Sequence, residues 1–224
     1  MTDAEAGAPV DPNADGLDAA EREVAIRRAR SLAGLRRAAV NCRACDLWSR
    51  ATQTVFGEGS ESARLMLLGE QPGDQEDRQG APFVGPAGRI LNEALDAAGI
   101  DRSLVYVTNV VKHFKWKRAP RGKRRIHQRP DRAEEEACRP WLEAEVARIG
   151  PELIVCLGAT AAQALLGRSF RVTRQRGQAL PTELGPPALA TIHPSAVLRA
   201  PDDAARDAAF DGLVADLRTA ARAL

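Results

Sequence analysis

Four short apolar runs set the strongest limit on how this chain of 224 residues can fold. They lie at residues 64–68, 105–111, 152–158 and 189–192, and segments with helical spacing separate them. Continuous apolar strands that alternate with helices are typical of a parallel sheet covered on both faces. The pattern predicts an α/β fold of three layers, α/β/α, with a central, mostly parallel four-stranded sheet.

The segments between and around these runs predict helices at residues 17–40, 89–99, 133–149, 159–166 and 202–224. Pro140 is expected to bend or break the third of them. Residues 171–180 are interpreted as an irregular or edge segment. Residues 1–16 are rich in Ala, Asp, Pro and Gly and contain no Lys or Arg, so we predict a disordered tail there and one domain over residues 17–224.

The composition favours a soluble globular protein, with 44% hydrophobic and 28% charged residues. No apolar run approaches the roughly 20 residues of a membrane span. The acidic start of the chain does not resemble a signal peptide. We therefore expect a cytoplasmic protein, and no feature of the sequence indicates a state other than a monomer.

Residues 112–132 form a basic segment with ten Lys or Arg and one Asp, although the whole chain has a net charge of only +2. Such a segment on an otherwise acidic protein is typical of a surface that binds nucleic-acid phosphates. Phe114 and Trp116 lie among the charges, where an aromatic ring can stack on a base. The alternative is a solvated basic loop or a localisation-type signal.

Polar residues follow three of the predicted strands. Residues 69–88 form a long loop rich in Gly and Pro after the first strand, and such loops at strand ends commonly carry functional sites. The loops after the first, second and fourth strands are expected to converge at one edge of the sheet. They contain Glu70, Asn109, His127 and His193.

Four cysteines are present: Cys42, Cys45, Cys138 and Cys156. In a reducing compartment they are better explained as metal ligands than as disulfides. The Cys-x-x-Cys spacing of the first two suits either tetrahedral zinc or an iron–sulfur cluster, and spacing alone does not choose between them. The alternative for Cys156 is an ordinary buried strand residue.

Five separated motifs together resemble the family 4 uracil-DNA glycosylases, from residue 42 to residue 195. They are GEQPGDQE with APFVGPAG, VYVTNVVK, the four cysteines, HPS and KRRIH. The resemblance implies a [4Fe-4S] cluster on the cysteines and uracil-containing DNA, single-stranded, as the partner. KRRIH resembles more narrowly the UdgX branch, whose members become covalently attached to DNA. Gln71 stands where family 4 has Ala, and this difference also favours that branch.

The chemistry of the residues agrees with such a reaction. Cleavage of an N-glycosidic bond leaves positive charge on the sugar and negative charge on the base, and the base must first be flipped out of the stack. Phe83 is interpreted as a stacking platform, Asn109 as the group that pairs with the uracil edge, and His193 as a donor to the uracil oxygen. The alternatives are a core phenylalanine, a loop cap and a structural histidine.

His127 is interpreted as a nucleophile that captures C1′ of the sugar, with Glu70 orienting the imidazole and taking its proton. The remaining predicted contacts are to substrate, from Gln71, Asp74 and Arg125, and to DNA, from Lys123, Arg124 and Ser195. Asp74 has a loop cap as its alternative. Arg125 and its neighbours are expected to hold the loop against phosphate or against the protein body.

Three hypotheses follow for the function. The first is a uracil-DNA glycosylase that traps itself covalently through His127. The second is a glycosylase of the same fold that turns over and releases an abasic site. The third is a non-catalytic, metal-bearing nucleic-acid binding module.

Overall fold

The fold, described by a computed structural model for residues 16–224, is built around a five-stranded sheet. The predicted tail lies outside the described residues except for Gly16. In chain order the strands are β1 (Leu65–Gly69), β2 (Val105–Asn109), β3 (Trp116–Arg118), β4 (Arg125–His127), β5 (Leu153–Leu157), β6 (Ala179–Leu180) and β7 (Ala188–Thr191). The sheet order is β2-β1-β5-β7-β6, and its first four strands are parallel. The predicted α/β fold is confirmed.

The sheet has one strand more than predicted. β6 pairs antiparallel with β7 and lies in the segment interpreted as irregular or edge structure. It is only two residues long, which is too short for a sequence pattern to distinguish a strand from a turn. β3 and β4 form a separate antiparallel hairpin within the basic segment, which the sequence did not predict.

Nine α-helices lie within residues 16–224. They are α1 (Ala19–Arg28), α2 (Leu32–Ala39), α3 (Asp74–Gln79), α4 (Pro86–Ala98), α5 (Arg132–Ile149), α6 (Ala159–Leu166), α7 (Val172–Gln175), α8 (Ser195–Leu198) and α9 (Asp203–Arg222). The single helix predicted for residues 17–40 is wrong, because Ser31 starts a second helix by accepting a hydrogen bond from the backbone N–H of Gly34 at 3.1 Å. α5 runs unbroken through Pro140, next to the fully buried Trp141.

The helices cover both faces of the sheet. On one face, α4 and α9 pack against side chains such as Leu67 and Val155. On the other face, α2, α5 and α6 pack against the alternate side chains, such as Met66 and Ile154. Because neighbouring side chains of a strand point to opposite faces, each strand contributes to both cores. In the part of the chain that the structure describes, no helix combines the length and the apolar character needed to cross a bilayer.

Candidate active site

A cavity of about 770 Å³ opens at the carboxyl ends of the parallel strands. Parallel pairing places Gly69 of β1 opposite Asn109 of β2, so the residues that follow the two strands lie side by side. Nine of the predicted site residues line the cavity: Glu70, Gln71, Asp74, Phe83, Asn109, Arg124, His127, His193 and Ser195. The size is within the range of pockets that hold small molecules.

The floor of the cavity depends on a glycine at the end of β1. A Cβ atom on Gly69 would lie 2.3 Å from Oδ1 of Asn109 and 2.8 Å from Cζ of Phe83. Only glycine therefore lets the amide and the ring approach the strand this closely. Phe83 also has a backbone φ of 55°, a conformation that costs free energy for a bulky residue. Its ring lies 6.1 Å from that of His193, with the planes 29° apart.

His193 is held as a neutral imidazole with a defined tautomer. Its Nδ1 atom accepts a hydrogen bond from the backbone N–H of Ser195 at 3.1 Å and lies 2.7 Å from the Ser195 hydroxyl. An accepting Nδ1 leaves the ring proton on Nε2. Burial, with smaller effects from Arg199 and His127, lowers the pKa of His193 to about 4. The ring is thus an uncharged donor at neutral pH.

His127 lies across the cavity, close to a carboxylate. Its Nε2 atom is 3.4 Å from Oε1 of Glu70, and half of its side chain is exposed. Loss of hydration lowers the pKa of His127, and Arg199 lowers it as well, whereas Glu70 acts in the opposite direction. The net effect is a pKa below the usual value for histidine. At neutral pH the imidazole keeps an unprotonated nitrogen, which a nucleophile requires.

The β3–β4 hairpin carries His127, and side chains from residues 69–88 fasten it to the body of the protein. Gln71 donates to the carbonyl oxygens of Lys115 at 3.2 Å and Gln128 at 2.9 Å, and it accepts from the N–H of Lys115 at 2.9 Å. The amide therefore bridges the residue before β3 and the residue after β4. Gln71 lines the cavity as predicted, but every polar atom of its side chain is used in this bridge.

Arg125 does not point into the cavity. Its guanidinium forms ion pairs with Asp74 and with Asp77, the latter at 2.6 Å, and its side chain is only 9% exposed. The rings of Phe114 and Trp116 lie 5.3 and 5.4 Å from the guanidinium carbon. These ion pairs fasten the hairpin to α3, which fits the expectation that Arg125 holds the loop against the protein body. Asp74 borders the cavity, but its carboxylate is already paired with Arg125.

The remaining predictions for the basic segment differ in outcome. Phe114 is buried, so it cannot stack on a base as the sequence suggested. Trp116 donates its indole N–H to the carbonyl oxygen of Arg50 at 2.8 Å. Lys123 and Arg124 are exposed near the tip of the hairpin. The hydroxyl of Ser195 is hydrogen-bonded to His193, and it accepts a second hydrogen bond from Arg199 at 2.8 Å.

Comparison with known proteins matches residues 56–218 to the model of the Uracil DNA glycosylase superfamily. The chain is 40% identical over 159 residues to a Type-4 uracil-DNA glycosylase of Thermotoga maritima, covering 70% of this chain and 78% of that protein. This chain belongs to the uracil-DNA glycosylase superfamily. It is also 36% identical to the Type-4 enzyme of Archaeoglobus fulgidus, with 76% of this chain and 85% of that protein covered.

The four cysteines of this superfamily member all pack into the core on one face of the sheet, and none forms a disulfide: Cys42, Cys45, Cys138 and Cys156. Burial and, to a smaller extent, the nearby thiols of Cys45 and Cys42 raise the pKa of Cys138 to about 12. Burial alone raises the pKa of Cys156 to about 12. Thiols held this far from ionisation bind a metal only if the metal displaces the proton.

Two N–H groups donate to the sulfur atoms. The backbone N–H of Lys112 lies 3.2 Å from Sγ of Cys138, and the indole N–H of Trp141 lies 3.3 Å from Sγ of Cys42. Such donors stabilise metal-bound thiolates. Within residues 16–224, however, no three His, Cys, Asp or Glu side chains are arranged to hold one metal ion. Four thiols with such N–H donors are nevertheless the donor set that an iron–sulfur cluster uses.

Three further residues of this glycosylase-superfamily chain were not predicted from the sequence: Thr160 and Arg199, which line the cavity, and Asp77, which holds Arg125. Asp77 lies within a short helix that the Gly-rich composition of residues 69–88 did not predict. Thr160 follows the third predicted strand, β5, whose exit was not included among the converging loops. Arg199 lies only six residues beyond His193, and its positive charge is the feature of the sequence that could have indicated a role at the site.

Proposed function

We propose that this protein removes uracil from DNA by cleaving the bond between the base and C1′ of the deoxyribose. The observation that carries the proposal is the convergence of Asn109, Phe83, His193 and Glu70 on one cavity in a chain of this superfamily. The relatives named Type-4 uracil-DNA glycosylases support it. A flipped nucleotide is the substrate that such a cavity suits.

The base is recognised and activated by three side chains. The Asn109 amide offers a donor and an acceptor to the uracil edge, and cytosine presents the opposite pattern at that edge. Phe83 stacks on the base. The Nε2–H of the neutral His193 donates to a uracil oxygen as the glycosidic electron pair moves onto the leaving base. This hydrogen bond stabilises the uracil anion, and no proton has to be transferred from the enzyme to the base.

The fate of the sugar cation distinguishes the two catalytic hypotheses. In a turnover reaction, Glu70 positions a water molecule that attacks C1′, and an abasic site is released. The names of the relatives favour this course. We propose that His127 captures C1′ in place of water, because its ring lies 3.4 Å from Glu70 at the same cavity. The unprotonated ring nitrogen then bonds to C1′, the imidazole proton passes to Glu70, and one turnover ends in a C–N adduct.

One experiment separates all three hypotheses. The protein is incubated with single-stranded DNA that contains one uracil, and the products are separated on a denaturing gel. A heat- and detergent-stable shifted band supports capture, free uracil with an abasic strand supports turnover, and neither product supports a non-catalytic module. The same oligonucleotide with thymine serves as the control.

His127→Ser tests the identity of the nucleophile. The serine variant should form no stable adduct, because a hydroxyl at that position is shorter and far less nucleophilic than an imidazole, and water can then complete the excision. Mass spectrometry of the adduct checks the attachment site. An undiminished adduct in the variant, or a nucleotide joined to another side chain, contradicts the assignment.

We further propose that Cys42, Cys45, Cys138 and Cys156 hold a [4Fe-4S] cluster with a structural role. When bound, it would cross-link the N-terminal helices to α5 and to β5, the third of the strands predicted from the sequence. Purified protein should be brown and absorb broadly near roughly 400 nm. Colourless protein that contains zinc contradicts the cluster.

The expected setting of the reaction is also a proposal. We propose that the protein acts as a monomer in the cytoplasm on uracil in single-stranded DNA. The exposed Lys123 and Arg124 next to the cavity support contact with a DNA backbone. Light scattering and the ratio of rates on single- and double-stranded substrates check these points.

A further inference from the structure

The carboxylate of Glu70 has a different partner on each oxygen. The hydroxyl of Thr160 donates a hydrogen bond to Oε2, whereas Oε1 faces Nε2 of His127 at 3.4 Å. Thr160 is 5% exposed, and 21% of the Glu70 side chain is exposed. The two contacts therefore divide the carboxylate into an anchored oxygen and an oxygen that is available to the cavity.

The turn between β5 and α6 places Thr160 at this position. Gly158 adopts a φ of 95°, which a residue with a side chain rarely adopts. A Cβ atom on Gly158 would also lie 3.0 Å from Cβ of His193. The glycine thus lets the first turn of α6 approach the loop that carries His193. As a result, the hydroxyl of Thr160 reaches the cavity and Oε2 of Glu70.

We propose that Thr160 is a positioning residue that fixes the Glu70 carboxylate so that its free oxygen faces His127 or an attacking water. The inference rests on the proposed function, because it assigns Glu70 a role in the attack on C1′. A glutamate side chain has three rotatable bonds, and it loses considerable conformational entropy when it is held in one geometry. The hydrogen bond from Thr160 supplies that restraint before the substrate binds, so the attacking group meets a carboxylate that is already oriented.

Thr160→Val removes the donor and keeps the shape of the side chain, and Thr160→Ser keeps the donor. A hydrogen bond to a charged acceptor corresponds to roughly a ten- to a hundredfold effect on rate. The valine variant should therefore release uracil, as free base or with an adduct, roughly ten- to a hundredfold more slowly under single-turnover conditions, with unchanged affinity for the DNA. The serine variant should recover most of the rate. Thr219→Val, which removes a hydroxyl that bonds only within α9, to the backbone of Ala215 and to the Arg222 side chain, is the matched control and should behave as the wild type.

A double-mutant cycle shows whether Thr160 acts through Glu70. Glu70→Gln alone should slow the chemistry more than binding. The cycle uses Glu70→Ala, which leaves no oxygen for Thr160 to donate to, and adding Thr160→Val to it should cause no further loss. Additive losses, or a Thr160→Val variant as fast as the wild type, overturn the inference while leaving uracil excision intact. A wild-type protein that releases no uracil overturns the proposed function and the inference with it.

Discussion

Arg125 provides the most direct test of how the hairpin positions His127. In the Arg125→Met variant, Asp77 loses its ion pair but keeps the hydrogen bonds from the N–H of Thr52 at 2.9 Å and from its hydroxyl at 2.5 Å. Removing one partner of a buried pair costs about 3 to 5 kcal/mol. Because Asp77 keeps these donors and Asp74 is partly exposed, we expect the lower end, about 3 kcal/mol.

This free energy should be lost from the docking of the hairpin and not from the fold as a whole. The hairpin forms no strand pairing with the central sheet, so it can detach while both cores stay intact. A loss of about 3 kcal/mol makes the undocked state roughly 150-fold more populated relative to the docked state. If the undocked state of the hairpin becomes the major state, adduct formation through His127 should slow. The midpoint of thermal unfolding of the protein should change little.

Hydrogen exchange measured by mass spectrometry follows the docking. The peptide that contains β3 and β4 should exchange much faster in Arg125→Met, and the peptides of β1 and β5 should not change. Arg118→Ala is the matched control, because Arg118 is exposed and lies opposite Arg125 in the hairpin register. Unchanged exchange in the hairpin of Arg125→Met, or equal effects in both variants, would refute the role of Arg125 in docking the hairpin.

Two further predictions concern the cavity and the buried histidines. Gly69→Ala should abolish uracil excision with little loss of DNA affinity, because the added methyl group would lie 2.3 Å from Oδ1 of Asn109; an excision assay beside a DNA-binding assay checks this, and near-normal excision contradicts it. Burial lowers the pKa of His113, like that of His193, to about 4 in the folded protein. Each histidine therefore stabilises the fold above pH 6.5, and this contribution of up to roughly 3 kcal/mol is lost as the pH falls towards 4, since the unfolded chain takes up the proton first. Denaturant unfolding at several pH values should show that the free energy of unfolding falls less steeply with decreasing pH in a His113→Gln variant than in the wild type. Identical pH dependence in the two proteins would contradict the prediction.

The sequence predicted the core of the fold because strands buried on both faces must be apolar along their whole length. It also located Glu70, Asn109 and His193, since residues that follow parallel strands meet at one edge of the sheet. It could not predict β6, which is too short to produce a pattern. Nor could it predict the end of α1, where the capping preference of Ser31 outweighs the helical spacing around it.

The amino-acid sequence by itself determined the layers of the fold, the sheet edge that holds the site and the residue types available there. Only the tertiary structure decided which of those residues face the cavity. Arg125 and Arg118 occupy opposite strands of one hairpin, yet one is buried against two carboxylates and the other is exposed. Thr160 contacts Glu70 from 90 residues away in the chain. A side chain's partner depends on which distant segment packs against it, and local patterns in the sequence contain no information about that choice.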